Sequence, residues 1–309
     1  MATALFSHPS CYYHETPIGH PETADRLRAV LHALEGEEFQ FLVREEARPA
    51  TREEIARIHD RAYIDQVLGA VPLEGQCHLD ADTVLSPGSG EAALCAAGAV
   101  IGAVDAVMAG EVSNAFCAVR PPGHHAERAQ AMGFCIFNNV AIGAAHARAG
   151  HGLKRIAVID FDVHHGNGTQ SAFEADADFY FASTHQWPLY PGTGDAGERG
   201  IANNILNAPL PARAGSDDFR AMMAEVVLPA IESFAPEFIL ISAGFDAHRL
   251  DPLADLRLDS GDYGWVTEQI VRLAARCAKG RVVSTLEGGY NLNALASSAQ
   301  AHVRALMEA

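Results

Sequence analysis

Residues 156–169 read IAVIDFDVHHGNGT, an uninterrupted apolar run that ends in acids, histidines and glycines. A short apolar run of this kind is expected to be a strand buried on both faces, the pattern of a parallel sheet covered by helices. Residues two apart on a strand point the same way. Asp160, Asp162 and His164 are therefore expected on one face at the C-terminal end of this strand. Open α/β sheets place their ligands at that end. Two carboxylates and an imidazole converging there would repel or stay unpaired unless a cation joined them, and a divalent metal is the simplest resolution.

Outward from this stretch, further strands are expected within residues 4–13, 115–119, 178–183, 238–242 and 281–286. Between them lie helical patterns. Residues 21–34 carry an apolar stripe of Ala24, Leu27, Leu31 and Leu34, and Thr51 with Glu54 makes a capping box for a helix through Ile55 and Ile58. The turn Ser86-Pro87-Gly88-Ser89 launches an Ala-rich helix ended by Gly110, and Asn138 caps a helix stopping at Gly150. Helices also follow Ser216, span 259–278 and close the chain. Strands alternating with helices mean an α/β fold with a mostly parallel sheet. With 309 residues and no linker or repeat, one domain over 1–309 is expected.

The chain carries 22 basic and 39 acidic residues, a formal charge of −17. That argues against direct nucleic-acid binding, which needs a basic face. Cys11, Cys77, Cys95, Cys117, Cys135 and Cys277 are scattered without a CxxC pair, so buried free thiols are expected rather than a zinc ribbon or a disulfide framework. The first residues lack a basic region followed by an apolar core, and the apolar stretch 92–109 is Ala- and Gly-rich with Asp105 inside it. A buried helix is expected there, not a membrane span, and the expected location is cytoplasmic.

Four polar, glycine-rich segments, PPGHHA (121–126), DFDVHHG (160–166), AGFDAH (243–248) and EGGY (287–290), each follow an expected strand. In a parallel sheet those ends share one side and can meet in one crevice. Asp162, His164 and Asp246 would give a metal three ligands, leaving the open position of a catalytic site. Mixed N/O ligation suits zinc, iron or manganese. A metal-bound water, its pKa lowered to about 7 in favourable cases, needs a neighbouring base, and His124 and His125 are the candidates. Asp160 and Asn167 are expected to fix their second nitrogens. Tyr290, after two glycines, can donate to a developing oxyanion. The assembled chemistry is metal-assisted hydrolysis of a carbonyl compound.

These segments, with STH (183–185), YPGTG (190–194) and SAGFDAHRLDPL (242–253), resemble the zinc-dependent histone deacetylases. More closely they are similar to bacterial amidohydrolases related to class II deacetylases and to acetylpolyamine amidohydrolases. The likeness runs from about Gly19 to the last helix, with six motifs in order. It implies the arginase–deacetylase fold, a central eight-stranded mostly parallel sheet sandwiched by helices.

The resemblance also implies roles. Asp162, His164 and Asp246 would ligate zinc, with iron(II) a possible substitute. His125 would be the general base and acid, and His124 its electrostatic partner. Asp160 and Asn167 would orient the pair, and Tyr290 would polarise the scissile carbonyl. Gly133 and Phe134 would line an acyl-lysine channel. A structural potassium ion would sit on Asp160, Asp162, His164, Ser183 and Thr184. Leu253 stands where polyamine-preferring relatives carry an acidic gatekeeper, so acetylated lysine in a protein or peptide is the expected substrate. Glu22 and the overall acidity favour the alternative, an acetylated polyamine or other small amide.

Two further readings are weaker. A non-catalytic acyl-group sensor needs no proton-transfer pair, and a two-manganese ureohydrolase needs more bridging carboxylates. Among neighbouring residues, His20 is expected near the site mouth, His165 buried on backbone, Asp251 in a turn and Cys135 as a packed thiol. His248 stands two residues beyond a ligand, and Trp187 and Tyr190 are candidates for a rim.

Overall fold

The computed structural model describes residues 2–308. Its strands are β1 (Thr3–Ser7), β2 (Val43–Glu46), β3 (Cys77–His78), β4 (Val84–Leu85), β5 (Asn114–Cys117), β6 (Ile156–Asp160), β7 (Phe179–Gln186), β8 (Ile205–Leu210), β9 (Phe238–Ala243) and β10 (Val282–Leu286). Strands β3 and β4 form a small antiparallel pair, and the others make one eight-stranded sheet in the order β2-β1-β5-β10-β9-β6-β7-β8. Every pairing in that sheet is parallel, so "mostly parallel" understates it.

The four central strands β5, β10, β9 and β6 are buried along their whole length, as the apolar runs that open β6 and β9 require. Strands β9 and β10 come late in the chain yet insert between β5 and β6. This order opens a crevice at the C-terminal ends of the central strands.

Helices α1 (Ala24–Ala33), α2 (Arg52–Ile55), α3 (Arg61–Gly69), α4 (Ser89–Ala109), α5 (Asn139–His151), α6 (Asn167–Phe173), α7 (Ser216–Met222), α8 (Leu228–Phe234), α9 (Ser260–Cys277) and α10 (Leu292–Met307) cover the sheet. Helices α4 and α5 pack together on the central strands, while α1, α9 and α10 form a second packed group. Helix α4 has the length and apolar composition to cross a membrane, but 67% of its apolar window is buried inside the fold.

Several boundaries differ from expectation for local reasons. The capping box of Thr51 and Glu54 is present, yet α2 ends at Ile55. Past it His59 is buried and takes the N–H of Asn138. Helix α5 runs past Gly150 to His151 and ends on Gly152, whose φ of 69° is the left-handed conformation glycine adopts without strain. Strands β2 and β8 of the main sheet, and the short pair β3 and β4, escaped the sequence reading. Strand β2 is exposed throughout and forms only because the edge of β1 offers backbone partners. Strand β8 contains Pro209, tolerated because it lies at the opposite edge.

Candidate active site

Strand β6 ends at Asp160, so Asp162 and His164 do not continue it as expected. Carboxylates curl the chain instead. Asp160 Oδ1 accepts the N–H of Asp162 at 3.0 Å, and Asp162 Oδ1 accepts the N–H of His164 at 2.9 Å. These side-chain-to-backbone bonds two residues apart compete with strand geometry. The outcome still brings Asp162, His164 and Asp246 together: one ligand atom from each lies within 4.8 Å of the others, and all three residues are buried. His164 Nδ1 is 3.0 Å from Asp162 Oδ1 and 3.1 Å from Asp246 Oδ2.

Backbone N–H groups aim the two carboxylates. Gly288 donates to Asp162 Oδ2 at 2.8 Å and Val163 to Asp246 Oδ1 at 2.9 Å. A Cβ on Gly288 would collide with Asp246 Oδ2 and Asp162 Oδ2, and one on Gly244 would collide with Asp162. The glycines of AGFD and EGG thus clear room for carboxylates. Burial opposes charge on all three groups, yet His164 is pushed up to about 10 because Asp162 and Asp246 both demand a cation. Two buried carboxylates with an imidazole are the donor chemistry of a divalent metal site.

The histidine pair sits beside this trio with opposite electrostatics. His124 donates from Nδ1 to Asp160 Oδ2 at 2.9 Å. Burial disfavours its charge, but Asp160 and Asp162 outweigh burial and hold it at about 10. His125 donates from Nδ1 to Asn167 Oδ1 at 2.8 Å. Burial, with His124 and His164 nearby, drives its pKa well below the usual imidazole value. Environments that push two neighbouring groups apart in this way separate a charged partner from a neutral base.

Tyr290 follows β10 with its ring under the guanidinium of Arg26, 4.7 Å from the ring centroid, and edge-on to Phe134. Burial pushes its phenol well above the ordinary value, so it remains a donor. Gly133, Phe134, His125, His164, Leu253 and Tyr290 line one cavity of about 220 Å³. Phe134 holds a left-handed backbone (φ 69°) next to Gly133 (φ 57°), a strained arrangement common at working sites. Ser183 pairs in register with Asp160, its hydroxyl 2.9 Å from His185 Nδ1, and the Thr184 hydroxyl is buried without a partner.

Other expectations are corrected or resolved. Glu22 is not available to a substrate amine: it is fully buried between Arg120 and Arg26. His248 Nδ1 accepts the N–H of Leu250 within a turn. Cys135 is fully buried, and burial pushes its thiol well up. Trp187 stays outside the cavity, whereas Tyr190 enters its wall, 5.2 Å ring to ring from His125. His20 packs edge-on to Phe134, as expected of a residue near the mouth.

Several contributors escaped the sequence reading. Glu287 Oε2 accepts the N–H groups of Gly123 and His124, holding the histidine loop to β10. Its position as the first residue of EGGY was the available sign. Asp82 and Thr83 accept the N–H groups of Gly133 and Phe134, and Asp82 and Leu189 complete the cavity wall. These contacts join segments distant in the chain and leave no local pattern.

Fold and site together define the arginase–deacetylase class. Residues 20–306 match the family model described as "Histone deacetylase domain". The chain is 43% identical over 312 residues to histone deacetylase 14, chloroplastic, of Arabidopsis thaliana, covering 93% of this chain and 73% of that protein. It is 42% identical over 276 residues to a histone deacetylase-like amidohydrolase of Pseudomonas aeruginosa, covering 88% and 72%. The crystal structure of the HDA15 HD domain superposes with a TM-score of 0.94 at 35% identity, covering 99% of this chain and 88% of that one. The chain belongs to the histone deacetylase family, a family of deacetylase hydrolases.

Proposed function

We propose that this protein is a metal-dependent amidohydrolase that removes acetyl groups from N-acyl-lysine side chains. The observation that carries the reading is the placement of a neutral His125, its Nδ1 on Asn167, beside the Asp162–His164–Asp246 trio at one narrow cavity. The trio fits zinc or iron(II), which when bound supplies a Lewis acid and acidifies water. His125 takes the proton of the attacking water at its free Nε2 and returns it to the leaving amine. His124, charged against Asp160, stabilises negative charge developing beside it. Tyr290 donates its phenol hydrogen to the carbonyl oxygen as that oxygen becomes anionic. A potassium ion on Asp160, Asp162, His164, Ser183 and Thr184 is part of the proposal, supported by the unpartnered Thr184 hydroxyl.

The walls of Phe134, Leu189, Tyr190 and Leu253 suit the apolar stem of an acyl-lysine. The Asp82 carboxylate in the same wall favours a second reading, an acetylated polyamine whose next amine would pair with it. The test compares zinc- and iron-loaded protein on a fluorogenic N-acetyl-lysine peptide and on N-acetylspermidine, with Tyr290→Phe and His125→Ala as controls. Peptide turnover that collapses in both variants supports the proposal. Preference for the polyamine transfers the mechanism to the second reading. Metal binding without turnover of either substrate, or of longer acyl groups, points to a sensor.

A further inference from the structure

Position 167 must present an oxygen to His125, and either an amide or a carboxylate could do so. Asn167 also places Nδ2 at 2.8 Å from Glu127 Oε1, with weaker contacts at 3.3 Å to the His125 carbonyl and to Met132 Sδ. An ionised carboxylate only accepts hydrogen bonds, whereas an amide has distinct donor and acceptor ends. Glu127 therefore turns the NH2 end of Asn167 toward itself and the oxygen toward His125. His125 must then carry its hydrogen on Nδ1, which leaves the Nε2 lone pair free. The backbone of Glu127 is pinned by paired bonds with Gln130, so its carboxylate starts from a fixed place. The substitution Asn167→Asp would set two carboxylates at this contact distance, partly buried and with no hydrogen between them.

We propose that Glu127 is a positioning residue of this site: it orients the Asn167 amide, thereby selects the His125 tautomer, and requires an amide rather than a carboxylate at position 167. The inference rests on the deacylase reading for its role in turnover, but the tautomer it assigns exists with or without turnover.

The test uses the metal-loaded 309-residue chain as wild type, Asn167→Asp, Glu127→Gln and the double variant. In the double variant the new amide at position 127 can turn its NH2 toward the new carboxylate at position 167, which restores a donor–acceptor contact. We expect Asn167→Asp alone to lower kcat at least tenfold with KM within about twofold. Glu127→Gln alone, whose amide can turn either end to Asn167, no longer fixes the Asn167 amide, and is expected to lower kcat about three- to tenfold and to bring up the Nε2–H form of His125. The double variant recovers to within about threefold. NMR of 15N-histidine-labelled protein reads the tautomer directly and independently of activity, and the Nδ1–H form of His125 is expected in wild type. Equal activity of Asn167→Asp and wild type, or no rescue by Glu127→Gln, overturns the proposal. An Nε2–H form of His125 in wild type overturns it even if no substrate turns over, whereas absent turnover with the expected tautomer counts only against the deacylase reading.

Discussion

Asp251 Oδ2 accepts the backbone N–H of Tyr290 at 2.7 Å, while its Oδ1 accepts that of Leu253 at 3.0 Å. One carboxylate thus holds both the tyrosine and the residue expected to set specificity. Burial, with Asp246 nearby, pushes the Asp251 carboxyl up to about 7, so above that pH its bonds are those of a charged acceptor, each contributing about 1.5–3 kcal/mol. Asp251→Ala is expected to lower kcat roughly 10- to 100-fold, with a smaller effect once Tyr290→Phe is already in place. Steady-state kinetics on the four proteins of this cycle checks it; full additivity would break the link between the two residues.

Gly288 lies against both ligand carboxylates with no space for a Cβ. Gly288→Ala is expected to displace Asp162 or Asp246 and to lower metal stoichiometry and turnover together. Elemental analysis after gel filtration, with a thermal melt, separates loss of metal from loss of fold. Chelation of the wild-type protein should reproduce the activity loss, and added zinc or iron(II) should reverse it only where Gly288 is intact.

Glu22 pairs with Arg26 at 3.0 Å and bridges Arg120, all three fully buried. Burial alone would raise its pKa, but Arg120 reverses that and takes it down to about 2. Removing one partner of a buried ion pair costs about 3–5 kcal/mol because the other charge is left alone. Glu22→Gln is therefore expected to destabilise the protein by a few kcal/mol in urea titration near neutral pH. An unchanged midpoint would show the arginines finding other partners.

Two histidines outside the trio are buried neutral. Burial lowers His302 to about 3 and His59 to about 4. Their folded pKa lies below the unfolded value near 6.5, so the stabilisation is complete above that pH. It is lost as pH falls from there toward the folded values, at about 1.4 kcal/mol per unit for each group. Stability measured from pH 7 to 5 should decline, and His302→Gln should flatten the decline by about one proton. The same slope in both proteins would sink the assignment to His302, whose imidazole bonds Thr267 and Ser284.

The buried central strands were legible because their sequences satisfy burial on both faces, a requirement written in the apolar runs 156–159 and 238–241. The candidate site was legible for a related reason. Asp162, His164, Asp246, His124, His125 and Tyr290 stand just past such strands, in glycine-rich segments too polar to be core. Strand β2 was not legible because an exposed edge strand is stabilised by its neighbour's backbone rather than by its own side chains.

By itself, then, the sequence determined which residues are chemically able to work, since type and position after a strand are local properties. It could not order the strands or say what each polar group faces. Only the tertiary structure inserted β9 and β10 between β5 and β6, converging four distant segments. It also withdrew Glu22 into a buried ion pair, and set Glu127 behind Asn167 and Asp251 behind Tyr290. Those assignments depend on distances between side chains far apart in the chain, and such distances are set by how the helices pack across the sheet.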